Sequence, residues 1–371
     1  MEKTVTSGPA SSGSIKPVKI LSVANAPPMV AVPVDLHYFE GGTYKHRVVQ
    51  NIRPTHFDEL IVSSVFDTLP TFRYRAAPLN SMRNLARNAF TVARQARASL
   101  ARPVVYSAPV LDLRSMGPNN VAHLLQDIIP LSLLARRLVG PELTLLTRPV
   151  YGPFRDLLEH FGLSPIWEDR EITGEMIRIS GTRGLAVYDV INLFDCNAVQ
   201  LFPQVLLEED MPSGRSFEKI FLARRASRSL KNQTEIEQLT NSFGYTTIFM
   251  EDYSISDQLS IAARAKHVIA MHGAAMGLLL VNKGLDSVIE VLPANVYHQW
   301  FPNCIGRRVR KYIQILPEYD LRIQHSGWDA IAQFKNGKVF LDAFLLERLL
   351  SGIHAAPPAA VLASSSSRRA L

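Results

Sequence analysis

Residues 219–292 carry short apolar runs in alternation with amphipathic ones, a pattern that few folds accept. Residues 219–223 (KIFLA), 246–250 (TTIFM), 267–271 (HVIAM) and 287–292 (SVIEVL) are runs of strand length. Between them, residues 234–243, 254–265 and 275–282 have helical length and pattern. Gly244 closes the first of these helices, and Ser254 with Asp257 forms a capping pair at the start of the second. Parallel strands need a crossover between them, so this alternation predicts an α/β fold whose parallel sheet is covered by helices on both faces. Ligands of such sheets bind outside the carboxyl ends of the strands. The residues that follow each strand are therefore the first candidates for chemistry.

Three successive strand ends are polar. Arg224, Arg225 and Arg228 follow the first strand. Guanidinium groups at a strand-to-helix loop can fork onto phosphate oxygens, or stay solvated and paired with carboxylates. After residues 267–271 come His272, Gly273, Ala274 and Ala275, with a helix opening at once. Small residues admit a ligand close to the backbone, and a helix start offers N–H groups to a diphosphate. The other reading is a small-residue turn beside a packed histidine. Glu290 lies inside the fourth strand, where a strand buried on both faces does not ordinarily hold a carboxylate. It can accept from ribose hydroxyls or pair with an arginine.

The first half mixes strands, at 20–23 and 103–107, with helices at 79–100 and 121–139. Asn120, His123 and Asp127 stand at i, i+3 and i+7 around the start of the second helix and share one face. A carboxylate one turn from an imidazole can orient it as a general base. The same residues also suit a helix cap followed by a solvated face. Arg83, Arg87, Arg94 and Arg97 form a stripe on the 79–100 helix, and Arg307, Arg308, Arg310 and Lys311 a second cluster. Both can meet an anionic membrane surface or simply face water.

The chain has 371 residues, which exceeds the span of one hydrophobic core and points to two domains. The polar stretch 208–216 (EEDMPSGRS) suits a linker, with units expected at 16–207, 217–325 and 326–354 and disordered tails at 1–15 and 355–371. A last amphipathic helix is expected at 341–353. Cys196 and Cys304 are the only cysteines, so neither a disulfide framework nor a cysteine-based zinc site can form; one bridge between the two is the less favoured alternative to two thiols. The first 15 residues lack the apolar core of a signal peptide, and no run of eighteen apolar residues occurs. A net charge of +7 favours anionic partners without choosing among them. There is no G-x-S-x-G elbow, no Walker loop, no H-E-x-x-H and no Asp-x-Asp pair to hold a divalent metal.

Together these segments resemble glycosyltransferase family 61 over roughly residues 115–295. The family's Asn-x-x-His segment is similar to Asn120–His123, with Asp127 and Pro130 after it. Its strand–Arg–Arg–Asn segment is similar to FLARRASRSLKN, matching Arg224, Arg228 and Asn232. Its Ser-x-x-Glu-Gln helix, His-Gly-Ala loop and Glu-x-x-Pro strand end are similar to Ser254–Gln258, His272–Ala274 and Glu290–Pro293. Gln233, Asp257 and Ala275 stand where the family commonly has Glu, Glu and Gly.

The resemblance implies a GT-B-like architecture of two Rossmann-like domains facing a cleft. It implies inverting transfer of a sugar from a nucleotide-sugar donor, UDP-linked, to a glycan or lipid-linked glycan in capsule or exopolysaccharide synthesis. No cofactor or metal is expected, and nucleic acid is not an expected partner. Arg224, Arg228, Asn232, His272, Gly273 and Ala274 would hold the donor, and Glu290 its ribose. Asn120 would lie on the acceptor side, with His123 as base supported by Asp127. The final helix would pack back toward the N-terminal domain. The placement expected is a bacterial cytoplasm, peripheral to the inner membrane. Two other readings stand beside this one: a nucleotide-sugar-binding protein without turnover, and a polysaccharide pyruvyltransferase on a similar fold.

Overall fold

The computed structural model describes residues 19–22, 33–50, 59–69, 82–181, 217–225, 228–293, 300–317 and 339–355. The expected tails, apart from Ala355, and the 208–216 linker lie outside them, as does Cys196; Cys304 is buried. In chain order the strands are β1 (Lys19–Ser22), β2 (Pro33–Glu40), β3 (Thr43–Gln50), β4 (Glu59–Leu69), β5 (Val104–Val105), β6 (Val110–Asp112) and β7 (Thr144–Thr147). They continue with β8 (Ile166–Trp167), β9 (Ile172–Gly181), β10 (Lys219–Leu222), β11 (Thr246–Ile248), β12 (His267–Met271), β13 (Leu285–Val291) and β14 (Val309–Leu316). The α-helices are α1 (Met82–Leu100), α2 (Val121–His123), α3 (Ile129–Val139), α4 (Pro153–His160), α5 (Gln233–Ser242), α6 (Ile255–Arg264), α7 (Trp300–Ile305) and α8 (Ala343–His354). Among the described residues no helix is long and apolar enough to cross a membrane.

Two mixed α/β layers result. The first sheet runs β1-β4-β9-β6-β7-β8, with β5 beside β9; β9, β6, β7 and β8 are parallel, and β4 and β1 antiparallel. The second runs β11-β10-β12-β13-β14-β2-β3, parallel up to β2 and closed by the antiparallel β2–β3 hairpin. The four strands expected from the second-half rhythm are β10 to β13, and β12 spans the expected residues. The hairpin departs from the expected boundary. Its residues fall in the first half of the chain, yet Tyr312 pairs with Val34 and Ile313 with Asp35. Val34 and Leu36 are buried by this pairing, which is the physical reason the hairpin joins the second sheet.

The second sheet is apolar on both faces because its side chains alternate with period two. Ile220, Leu222, Val268, Ala270, Val288 and Tyr312 enter one core, and Phe221, Ile269, Met271, Ile289, Val291, Ile313 and Ile315 enter another. The first of these cores also contains Leu111, Leu124, Leu125, Ile128, Leu145 and Leu157, so the two layers share it. Helix α8 buries Leu345, Leu346 and Leu350 in the other core, against Ile236 of α5. It packs on the second sheet, whose apolar face its stripe meets, and Tyr44 of the β2–β3 hairpin packs against the same core.

The expected 121–139 helix is continuous but not uniform. A π-helical turn, Leu124–Ile128, separates α2 from α3. Pro130 stands in the first turn of α3 and has no N–H for the carbonyl four residues back, so the widened turn absorbs the missing bond. The segment after β12, expected as an α-helix, is a 3-10 run, Ala274–Val281. This run and α2 meet at their backbones. A Cβ on Gly277 would lie 2.6 Å from the Ala122 Cα and 2.9 Å from its Cβ.

Three of the basic residues have partners within the fold. Arg94 pairs with Asp169 at 2.5 Å, Arg308 donates to the Leu280 carbonyl, and Arg310 lies 3.6 Å from Asp286. The side chains of Arg83, Arg87 and Arg307 lie outside the described set.

Replacing Gly277 by Ala has nowhere to go but into the α2 backbone. Gly277→Ala is expected to lower stability by about 1–3 kcal/mol through overpacking, read as a lower urea midpoint at unchanged m-value. Gly284→Ala, where a Cβ meets nothing within 4 Å, serves as the neutral control.

Candidate active site

The expected strand-end residues converge. Arg224 follows β10 and Arg228 follows the same turn, and each donates from Nη1 to the carbonyl oxygen of His272, at 3.4 and 3.3 Å. Arg228 has φ 61°, the only positive φ among the described residues other than glycine. That left-handed backbone costs about 1 kcal/mol for a residue with a Cβ and brings the guanidinium beside its neighbour. Gly273 makes room for the pair: a Cβ there would lie 2.0 Å from Arg224 Nη1 and 3.2 Å from its Cζ. Neither arginine has a carboxylate within ion-pair distance among the described residues, and Arg228 Nε is buried without a hydrogen-bond partner. Burial lowers Arg224 below the ordinary arginine range, and burial followed by Arg224 itself lowers Arg228 to about 10. Two partly buried like charges with no carboxylate in ion-pair contact among the described residues are an arrangement that can bind an anion. Arg225 does not join them. It turns outward onto Asp252 at 2.5 Å and stacks on Phe249, an exposed pair of small energetic weight.

His272 is held from the other side. Its Nδ1 lies 2.5 Å from Glu290 Oε1, with Nδ1–H the donor when the carboxylate is charged. Glu290 Oε2 accepts from Tyr312 Oη and Gln314 Nε2, both at 2.8 Å. The cross-strand register of β13 and β14 sets this up, pairing Glu290 with Gln314 and Val288 with Tyr312. Burial, then the Glu290 charge, pushes the Tyr312 phenol well above its ordinary value, so it remains a donor. Glu290 is 0% exposed and both its oxygens are engaged. A ribose cannot reach it. The carboxylate instead orients His272, which corrects the role expected from its position.

Asn232 is also corrected. Its Nδ2 donates to Glu235 Oε2 and to the Leu341 carbonyl, both at 2.8 Å, and its Oδ1 accepts from Leu341 N–H. It ties the segment before α8 to the start of α5 and has no reach toward a donor. Ala274 opens the 3-10 run directly after Gly273, where the first N–H groups of a helix lack internal acceptors.

On the facing layer Asn120 caps α2, its Oδ1 accepting from Ala122 N–H at 2.9 Å and His123 N–H at 3.4 Å. Its carbonyl oxygen is therefore spent on the helix. His123 Nδ1 lies 2.9 Å from Asp127 Oδ2, and the His123 side chain is 26% exposed against 12% for Asp127. The pair spans the π-helical turn, a departure from α geometry that recurs at functional sites. A carboxylate on Nδ1 fixes the tautomer and leaves proton exchange to Nε2.

Helix α7 links the two histidines. The His123 ring meets Trp300 edge to face at 5.8 Å and the His272 ring meets Phe301 at 5.3 Å. Trp300 Nε1 donates to Oε1 of the buried Gln126. Sequence reasoning missed Gln126, Trp300, Phe301, Tyr312 and Gln314. Gln314 carried the same signal that exposed Glu290, a polar residue inside a buried strand; the aromatic pair carried none.

Gly273→Ala must displace the Arg224 guanidinium. Titration calorimetry with pyrophosphate is expected to show affinity falling about tenfold, or about 1.4 kcal/mol, relative to wild type. Unchanged affinity would separate Gly273 from the anion site.

A family model described as Glycosyltransferase 61 matches residues 22–281, more than half of the chain. No curated protein matches the chain significantly in sequence. Among solved structures the chain is similar to the bacterial iron-containing dodecameric glycosyltransferase TibC from enterotoxigenic E. coli H10407. That similarity has 10% identity and a TM-score of 0.34, over 68% of this chain and 76% of that one, too distant to carry an argument. The family match spans His123, Asp127, Arg224, Arg228, His272 and Gly273 alike, and the chain belongs to glycosyltransferase family 61.

Proposed function

We propose that this glycosyltransferase moves a sugar from a UDP-linked donor to a glycan hydroxyl with inversion, in polysaccharide synthesis. The observation that carries the donor reading is the pair of arginines, Arg224 and Arg228, partly buried at a strand end with no carboxylate in ion-pair contact among the described residues. A nucleoside diphosphate supplies the charge they lack. On this reading the two layers act as the halves of a GT-B-like enzyme, with the donor on the second sheet and the acceptor entering from the first.

The transfer is then a single displacement. His123, oriented by Asp127, takes the proton of the acceptor hydroxyl as that oxygen bonds to the anomeric carbon. The carbon–oxygen bond to the diphosphate breaks, and the electron pair leaves with the diphosphate. Its growing charge is met by Arg224, Arg228 and the N–H groups after Gly273, donors already in position before the reaction. Attack and departure on opposite faces give inversion. Glu290, Tyr312 and Gln314 hold the His272 ring, whose carbonyl carries both arginines.

Purified protein is expected to gain thermal stability with UDP and to release UDP from a panel of UDP-sugars; indifference to every nucleotide would remove this reading. Arg224→Ala is expected to weaken UDP binding at least about tenfold. His123→Ala is expected to lower turnover about 10²- to 10⁴-fold with UDP affinity kept. Unchanged turnover in His123→Ala would remove the base assignment.

A further inference from the structure

A cavity of about 430 Å³ opens at the carboxyl ends of β7 and β8, away from both histidine–carboxylate pairs. Its size falls in the range of small-ligand pockets, about 300–1,000 Å³. Buried Leu158 and Leu163 line it beneath two large exposed aromatics, Tyr151 and Trp167. Arg155 and Glu159, one turn apart on α4, complete the lining; neither has an ionic partner among the described residues.

The aromatic wall is built and not merely exposed. Trp167 is 47% exposed, yet its Nε1 donates to Asp169 Oδ1 at 2.9 Å. The Arg94 guanidinium lies 3.9 Å from the ring centroid, and the same Arg94 is bound to the other Asp169 oxygen at 2.5 Å. Arg94 is not part of the cavity lining, so it backs the indole from outside. The opposite wall is fixed as well. Asn119 donates to the Pro149 carbonyl at 2.9 Å and accepts from Tyr151 N–H at 3.2 Å, while Arg148 donates to the Arg114 carbonyl at 2.7 Å. Asn119 precedes the Asn120 cap of the helix that carries His123, so the cavity and the proposed base hang on one loop.

We propose that this cavity holds a sugar ring of the acceptor glycan. An immobilised indole offers a flat apolar surface to the C–H face of a pyranose. A guanidinium and a carboxylate side by side supply donors and acceptors for its hydroxyls. The lining sets Arg148 and Arg155 against Glu159, so its place and its indole wall, not its charge, separate this site from the arginine pair that would hold the diphosphate. The proposal rests on the glycosyltransferase reading for its ligand but on its own residues for its place.

The test uses the full chain labelled with 5-fluorotryptophan, whose three indole signals include one removed by Trp167→Phe. Methyl glycosides of glucose, galactose, mannose, xylose and N-acetylglucosamine, and their β-linked disaccharides, are titrated in turn. At least one sugar is expected to move the Trp167 signal saturably at millimolar concentration, with affinity falling about fivefold or more in Tyr151→Ala and in Arg155→Ala. A Trp167 signal that no sugar moves up to about 50 mM, or that UDP alone moves, overturns the proposal. Calorimetry with UDP reads the donor site separately. UDP binding with a silent Trp167 signal removes the sugar cavity and leaves the transferase reading standing. Sugar-dependent shifts without UDP binding support the cavity and remove the UDP-linked donor.

Discussion

The contact between Gly277 and Ala122 sets the distance between the two layers, and the site exists at that distance. A 3-10 segment lies directly after His272 and Gly273, and its fourth residue presents bare backbone to the first turn of α2. Helix α2 ends on His123. Any side chain larger than hydrogen at Gly277 pushes these elements apart, and an error of one ångström in the relation of two reacting groups costs rate steeply. Leu278, Leu279 and Leu280 follow at once, each fully buried, and each stabilises the seam by about 1.5–3 kcal/mol. Close approach and apolar burial thus act on the same few residues.

The site's electrostatics divide in two. Both histidines are matched by carboxylates through Nδ1, and the buried carboxylate of Glu290 is satisfied on every side. A buried network of that kind is rigid because every lost bond exposes a costly unpaired group. The arginines are the opposite case. They are desolvated and repel one another, and their only shared acceptor among the described residues is a neutral carbonyl. The rigid half holds the unbalanced half in position.

The sequence was most legible where burial is simplest. Strands β10, β12 and β13 lie between two cores, so their runs are mostly apolar on both faces. The 3-10 segment was legible as a helix but not as its type, because Leu and Ala suit either geometry. Glu290 stood out correctly as a carboxylate in an apolar strand, but its role depends on Tyr312 and Gln314, which only the register of β14 brings beside it. Asn232 matched a motif and turned out to hold a chain crossing, since its partners at Leu341 and Glu235 lie on separate segments. The β2–β3 hairpin was the least legible element. Its alternation of Val34 and Leu36 with polar residues states that one face is buried but not against what, and its partner strand comes near the other end of the chain.

That hairpin also governs how the enzyme can be made and how it can change. The second sheet closes only when a segment near the amino terminus pairs with β14, so during synthesis the hairpin waits exposed until nearly all the remaining chain has appeared. Pairing across such a span slows folding and lengthens exposure to wrong partners. Over longer times the same strand exchange acts as a lock. A half with its own closed sheet can be cut away intact; here a cut between the halves would strip β14 of its partner strand and leave the second sheet with a newly open edge.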